Sequence, residues 1–190
     1  LVLVGIALKL GLAPFHMWIP DVYQGAPTPS TTYIATVSKA AVMALLLRLA
    51  TEVGILELPP VVHLFSLLAV VSMITGNVLA LLQQNVKRLL AYSSIAHFGY
   101  VLVALLAGGP PAAEAVTFYV IVYCAMSLGA FGVVTVYSSG GGDKDRIEDY
   151  QGLFWTRPWL AGMLALSLLS LAGIPVTAGF IGKFYAIAAG

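Results

Sequence analysis

Six apolar runs, each close to the ~20 residues a helix needs to cross the hydrocarbon of a bilayer, take up most of this 190-residue chain, at positions 1–20, 31–50, 60–83, 89–107, 113–137 and 158–190. The segments between them carry turn chemistry: DVYQGAPTPS, TEVGILELPP, QNVKR, GGPPAAE and SSGGGDKDRIEDYQGLFWTRP. The pattern predicts an all-α, polytopic transmembrane bundle of six spans, a single membrane domain over 1–190 with no soluble domain interrupting it. Composition agrees. Hydrophobic residues make up 60% of the chain and charged residues 9%, whereas a soluble domain is about 25% charged, so this chain lacks the polar surface to stay in solution. It opens on LVLVGIALKLGLAPF, without a cleavage site, and stops inside an apolar run, so it reads as an internal fragment whose ends both lie within helices.

Several function classes drop out early. A net charge of +1 with no basic run gives no footprint for nucleic acid. The single cysteine, Cys124, lies in VIVYCAMSLGAF and cannot build a zinc site or an iron–sulfur cluster. His63 and His97 differ in depth by about 15 Å at helical rise, which argues against a haem between them. No Gly-rich phosphate loop follows a strand. The expectation is that this chain holds no cofactor or metal.

Consecutive spans alternate direction, so the first, third and fifth loops share one side. That side carries Lys87, Arg88, Lys144, Arg146 and Arg157, and the other only Arg48. Counting lysine and arginine alone makes the first side cytoplasmic.

Three lysines stand where a membrane protein avoids them: Lys9, Lys39 and Lys183. A lysine at the centre of a span costs roughly 2.5–3.5 kcal/mol on insertion scales. Snorkelling along the four-carbon stem relieves that cost near a helix end. It suits Lys87 and does not suit Lys39, ninth in its run, while for Lys9 and Lys183 it stays open. The functional alternative follows from desolvation, which disfavours a charged amine. Lysines held out of water can shed and regain a proton, and several at similar depth form a relay with bridging water. No acidic partner lies close by, since Glu114 stands at the edge of a span.

Two runs look broken beside these lysines. Pro14 cannot donate to the carbonyl of Leu10, next to Lys9, and Gly173, Pro175, Gly179 and Gly182 interrupt the last run before Lys183. Discontinuous helices in two places are a sequence pointer to an ion path. Polar stripes run along three other spans: Thr32, Thr36 and Lys39; Ser93, Ser94, His97 and Tyr100; Tyr119, Tyr123 and Ser127. Such stripes are commonly hydrogen-bonded seams between helices. His97, about nine residues into its run, is a candidate relay group, because an imidazole titrates near neutral pH; a hydrogen-bonded structural histidine is the competing reading.

The stretch KLGLAPFHMWIPDVYQGAPTPSTTYIATVSKAA (9–41), with NVKRLLAYSSIAHFGY (85–100), SLGAFGVV (127–134), GLFWTRPWLA (152–161) and SLAGIPVTAGFIGKFY (170–185), resembles the antiporter-like, proton-translocating subunits of NADH:quinone oxidoreductase (complex I). The N-type, homologous to mitochondrial subunit 2, is the most similar. The resemblance implies a fold of about fourteen helices with two inverted repeats, of which this chain is the seventh to twelfth spans. It implies that Lys9 matches the seventh-helix lysine, Lys39 the eighth-helix lysine linking two half-channels, and Lys183 the twelfth-helix lysine of the exit half. It further implies that NADH, FMN, iron–sulfur clusters and quinone reside on partner subunits, with other membrane subunits of the complex and the lipid bilayer as partners. A subunit of a multisubunit sodium/proton antiporter or a membrane-bound hydrogenase shares the same features. A purely structural scaffold is the third reading.

Overall fold

The computed structural model describes residues 1–138 and 144–189; the Gly-rich stretch 139–143 of the longest loop, and Gly190, lie outside the described residues. The described chain is helical almost throughout. Four helices are unbroken and long and apolar enough to cross a membrane: α3 (Thr28–Glu52), α4 (Pro59–Leu81), α5 (Val86–Leu106) and α6 (Gly109–Ser138). The last apolar run is instead a pair of short helices, α7 (Pro158–Ala172) and α8 (Ala178–Ala189), and the first holds the short α1 (Val2–Leu10) followed by α2 (Trp18–Gly25), most of which lies in the segment DVYQGAPTPS that reads as a loop.

Helix α5 is the most enclosed, burying Ser94, His97 and Phe98 among apolar neighbours. It lies tightly against α4 because glycines stand at the crossing. A Cβ on Gly76 would come within 2.6 Å of the Ala96 backbone nitrogen, and one on Gly99 within 2.7 Å of Met73 Cγ. Small residues at a membrane helix interface permit this approach of backbones. Asn85 starts α5 by accepting the Arg88 backbone N–H at 3.1 Å, which satisfies one of the free donors of the first turn.

Element edges differ from the sequence expectation where proline sits early in a helix. GGPPAAE reads as a break, yet α6 begins at Gly109 and includes Pro110 and Pro111. A first-turn residue has no intrahelical acceptor for its N–H, so proline there loses nothing. In the same way α3 starts at Thr28, with Pro29 in its first turn, and the first loop shrinks to the residues around Ala26 and Pro27.

Both interruptions use one device. Helix α1 ends on Gly11 at φ +73°, whose N–H bonds Leu8 O while Leu12 N bonds Ala7 O. Helix α7 ends on Gly173 at φ +80°, with Gly173 N on Ser170 O and Ile174 N on Leu169 O. These are glycine-terminated Schellman caps, and the proline after each, Pro14 or Pro175, cannot continue the helix. The first break is thus set three residues before Pro14, by a glycine and not by the proline itself.

The long loop returns to the bundle. Ile147 N bonds Gln84 O at 2.9 Å and Val86 N bonds Asp145 O at 2.7 Å, so residues 144–150 form a strap across the α4–α5 turn. Lys87, expected to snorkel, is 1% exposed and paired with Asp145 at 3.1 Å beneath this strap. Its ammonium finds a carboxylate inside the protein instead of reaching for the interface. Burial, then the carboxylates of Asp145 and Asp149, push the Tyr150 phenol up, keeping it a neutral donor to Lys144 O at 3.1 Å.

A lysine, histidine and lysine row along one helix

The site is built on one face of α5. Ser94, His97 and Tyr100 recur every three residues and so stand one above another. Lys39 meets the first of them. It is 1% exposed, and its Nζ donates to Ser94 Oγ at 2.8 Å, with Nζ 5.1 Å from the centre of the Phe98 ring and 5.9 Å from that of Tyr23. No carboxylate is paired with it among the described residues. One hydroxyl and two ring faces stand in place of a counter-ion.

Lys39 reaches this place because α3 is irregular just before it. Residues Ile34–Ser38 form a π-helical turn, which accommodates one extra residue in the helix and re-aims the side chains beyond it. The threonines of the α3 stripe serve their own helix: Thr32 Oγ1 donates to Thr28 O and Thr36 Oγ1 to Thr32 O. They do not form a seam with a neighbouring helix.

His97 lies in the middle of the row, 4% exposed, enclosed by the rings of Tyr100, Tyr119 and Tyr123. Its Nδ1 and Tyr119 Oη are 2.7 Å apart. Of the α6 stripe, Tyr119 therefore belongs to the site, and Tyr123 contributes its ring, centred 5.5 Å from that of His97.

Lys183 approaches the far end. Its Nζ lies 5.2 Å from the Tyr100 ring centre and donates to Leu171 O and Ala172 O, both at 3.0 Å. Those are the last two carbonyls of α7, so the ammonium sits at the negative end of a helix dipole. Ser170 answers from the other side, its Oγ accepting Gly179 N at 3.0 Å. Sequence reasoning missed Ser170, Trp18 and Ser72. At the first break Trp18 Nε1 donates to Leu8 O at 3.1 Å and Ser72 Oγ accepts Ala13 N at 2.9 Å. Freed backbone groups at membrane depth need such partners, and that rule was the available signal.

Lys9 stands apart. Ile6, Ala7 and Leu10 face inward on α1, while Lys9 lies on the exposed side. The three lysines are not one buried cluster; Lys39 and Lys183 share the α5 row and Lys9 points elsewhere. His63 is exposed near the start of α4, away from the row.

The family described as NADH:quinone oxidoreductase/Mrp antiporter, TM, matches residues 1–190. NADH-quinone oxidoreductase subunit N of Ectopseudomonas mendocina (strain ymp) is 55% identical over 197 residues, covering 100% of this chain and 39% of that protein. A chain in the structure of respiratory complex I from Thermus thermophilus with bound aureothin aligns with TM-score 0.85 and 42% identity, over 99% of this chain and 40% of its own length. A chain of the Mrp complex from Dietzia reaches TM-score 0.88 at 23% identity, over 99% of this chain and 35% of its own, a likeness of fold alone. The present chain thus spans well under half the length of the relatives it matches.

Proposed function

This chain belongs to the NADH:quinone oxidoreductase/Mrp antiporter transmembrane family, and on that footing we propose that it is part of a subunit that moves protons across the membrane through Lys39, His97 and Lys183. The observation that carries the reading is the α5 row, with Lys39 hydrogen-bonded to Ser94 at one end and Lys183 over Tyr100 at the other. Six residues of helix separate those two contacts, about 9 Å along the axis, and His97 fills the interval.

A buried ammonium without a carboxylate is stabilised by what surrounds it. A cation over an aromatic face contributes about 2 kcal/mol when desolvated, and a hydrogen bond to a charged group about 1.5–3 kcal/mol. These are of the order of the cost of placing a lysine at membrane depth, roughly 2.5–3.5 kcal/mol. Small changes in the surrounding field then decide whether each amine carries its proton, which is what a relay requires. Lys9 is proposed as a further member on the outer side of α1, completed by groups beyond this chain. The driving energy is proposed to come from quinone reduction in a complex I whose NADH, FMN and iron–sulfur sites lie on partner subunits. The side bearing Lys87, Arg88, Lys144 and Arg146 is proposed as cytoplasmic in a bacterial inner membrane. A sodium/proton antiporter or hydrogenase subunit is the alternative, disfavoured by the identity of 42% to the complex I chain against 23% to the Mrp chain.

The test uses the full complex in proteoliposomes. Replacing Lys39 or Lys183 by alanine is expected to lower the protons moved per quinone reduced by at least tenfold. Full pumping in both variants of an assembled complex would sink the relay.

A further inference from the structure

Of the side chains that meet Lys39 Nζ, Tyr23 alone has a polar group left over. It comes from α2 and is 0% exposed, its ring edge-on to that of Phe131 at 5.8 Å between centres, with Lys39 Nζ 5.9 Å from its own centre. Its backbone is settled, since its carbonyl accepts Thr31 Oγ1 at 3.3 Å. Its phenol oxygen is buried and has no hydrogen-bond partner among the described residues. Buried hydroxyls in folded proteins are paired as a rule, so an unpaired one beside a titratable amine calls for a reason.

The neighbours of Lys39 divide the two protonation states of its amine between them. The charged form is served by Ser94, whose Oγ accepts from Nζ at 2.8 Å, and by the ring faces of Phe98 and Tyr23. A neutral amine carries a lone pair that needs a donor, and Phe98 has none. Ser94 could donate only by giving up the bond from its own hydrogen to Ala91 O, at 2.8 Å. The Tyr23 O–H remains. The four-carbon stem of Lys39 lets Nζ swing from the face of the ring to its hydroxyl edge, and one bridging water serves equally. We infer that Tyr23 is the hydrogen-bond donor to the neutral amine of Lys39, and thereby sets how readily Lys39 gives up its proton. The phenol keeps its own proton throughout: the bond forms as Lys39 passes its proton on and breaks as another arrives. The inference rests on the proton-relay reading and adds a residue to it. The other titratable groups nearby are His97, one turn along α5 from Ser94, with Lys183 beyond it, and Tyr123 of α6, which packs on Phe98 at 5.2 Å between ring centres.

The test is the pH profile of protons moved per quinone reduced, measured with the whole complex in proteoliposomes. Three changes are compared: Tyr23→Phe, Lys39→Ala, and 3-fluorotyrosine in place of Tyr23, a stronger donor of nearly the same shape. Tyr23→Phe removes the donor, so Lys39 holds its proton more tightly. Pumping is expected to fall by up to about tenfold at neutral pH, and the profile to move about one unit to higher pH, a tenfold change in proton affinity. The fluorinated ring is expected to move the profile to lower pH, and it decides the case where Tyr23→Phe does not assemble. Lost pumping with an unmoved profile in Tyr23→Phe means that the phenol only fills space, and a profile moved to lower pH means that its oxygen accepts from the charged amine. Either overturns the inference, as does wild-type pumping in Tyr23→Phe or an unmoved profile with 3-fluorotyrosine. Lys39→Ala separates the two readings. Full pumping there rejects the relay and the Tyr23 donor with it, whereas lost pumping beside an unmoved Tyr23→Phe profile rejects the donor and keeps the relay.

Discussion

Lys183 reaches back across the break in its own span and bonds the carbonyl of Ala172 at 3.0 Å, closing the half-helix that precedes it. Ser170 closes the following one through Gly179 N. The two short helices thus cap each other, and one of the caps is a titratable amine. A cation at a helix C-terminus contributes about 0.3–1 kcal/mol, up to about 2 when partly buried.

Substituting Lys183→Met is therefore expected to do two things together. Pumping falls at least tenfold, and the midpoint for heat unfolding of the subunit in detergent drops by an amount equal to about 1–2 kcal/mol. Lys183→Arg retains the cap and is expected to recover the midpoint. A Lys183→Met complex as stable as wild type would show that the carbonyl contacts contribute nothing.

The Lys39–Ser94 contact can be measured as a coupling. A double-mutant cycle of Lys39→Met with Ser94→Ala is expected to return about 1.5–3 kcal/mol, the range for a hydrogen bond to a charged group. A coupling below about 0.5 kcal/mol would separate the two residues and remove one end of the row.

Tyr119 fixes the ring of His97 through Nδ1, which leaves Nε2 for the proposed relay, and its own ring rests against Gly182, next to Lys183. Tyr119→Phe keeps the packing and removes the hydroxyl. Pumping is expected to fall about tenfold, the scale of one hydrogen bond at about 1.4 kcal/mol, with quinone reduction and assembly intact. The imidazole nitrogen NMR shifts of labelled His97 should change with it; unchanged shifts would place Tyr119 outside the site.

The Lys87–Asp145 pair is buried on the lysine side, so removing one partner strands a charge. Asp145→Asn is expected to cost about 3 kcal/mol of subunit stability. By contrast Arg48→Ala breaks the exposed Arg48–Glu52 pair and should cost less than about 0.5 kcal/mol. Equal effects would mean that the strap is not held by this ion pair.

Close approach of α4 and α5 gives a fifth expectation. Gly76→Ala places a methyl against the Ala96 backbone and should destabilise by about 1–3 kcal/mol, whereas Gly5→Ala, with nothing within 4 Å, should stabilise by up to about 1 kcal/mol. Unfolding in mild detergent compares them directly.

Much of this was legible in the residues. Apolar run length located α3 to α6, and Gly173 with Pro175 located the second interruption; Pro14 pointed to the first, which Gly11 sets three residues earlier. The Ser93 to Tyr100 stripe already put Ser94, His97 and Tyr100 on one face. What the sequence could not convey was azimuth and long-range pairing. Lys9 faces outward because α1 stops at Gly11 and its short apolar face is satisfied by Ile6, Ala7 and Leu10. Lys39 owes its aim to the π turn at Ile34–Ser38, which no hydrophobic period announces. Asp145 meets Lys87 across fifty-seven intervening residues, from a loop that the sequence marks only by its turn chemistry.

The two interrupted spans look alike in backbone, but they answer differently to charge. At the first, an indole N–H and a serine hydroxyl tend the loose backbone groups, and neither changes its charge in any physiological medium. At the second, the tending group is an amine. Loss of its proton would weaken the contacts at the α7–α8 joint and leave those at the α1–α2 joint untouched.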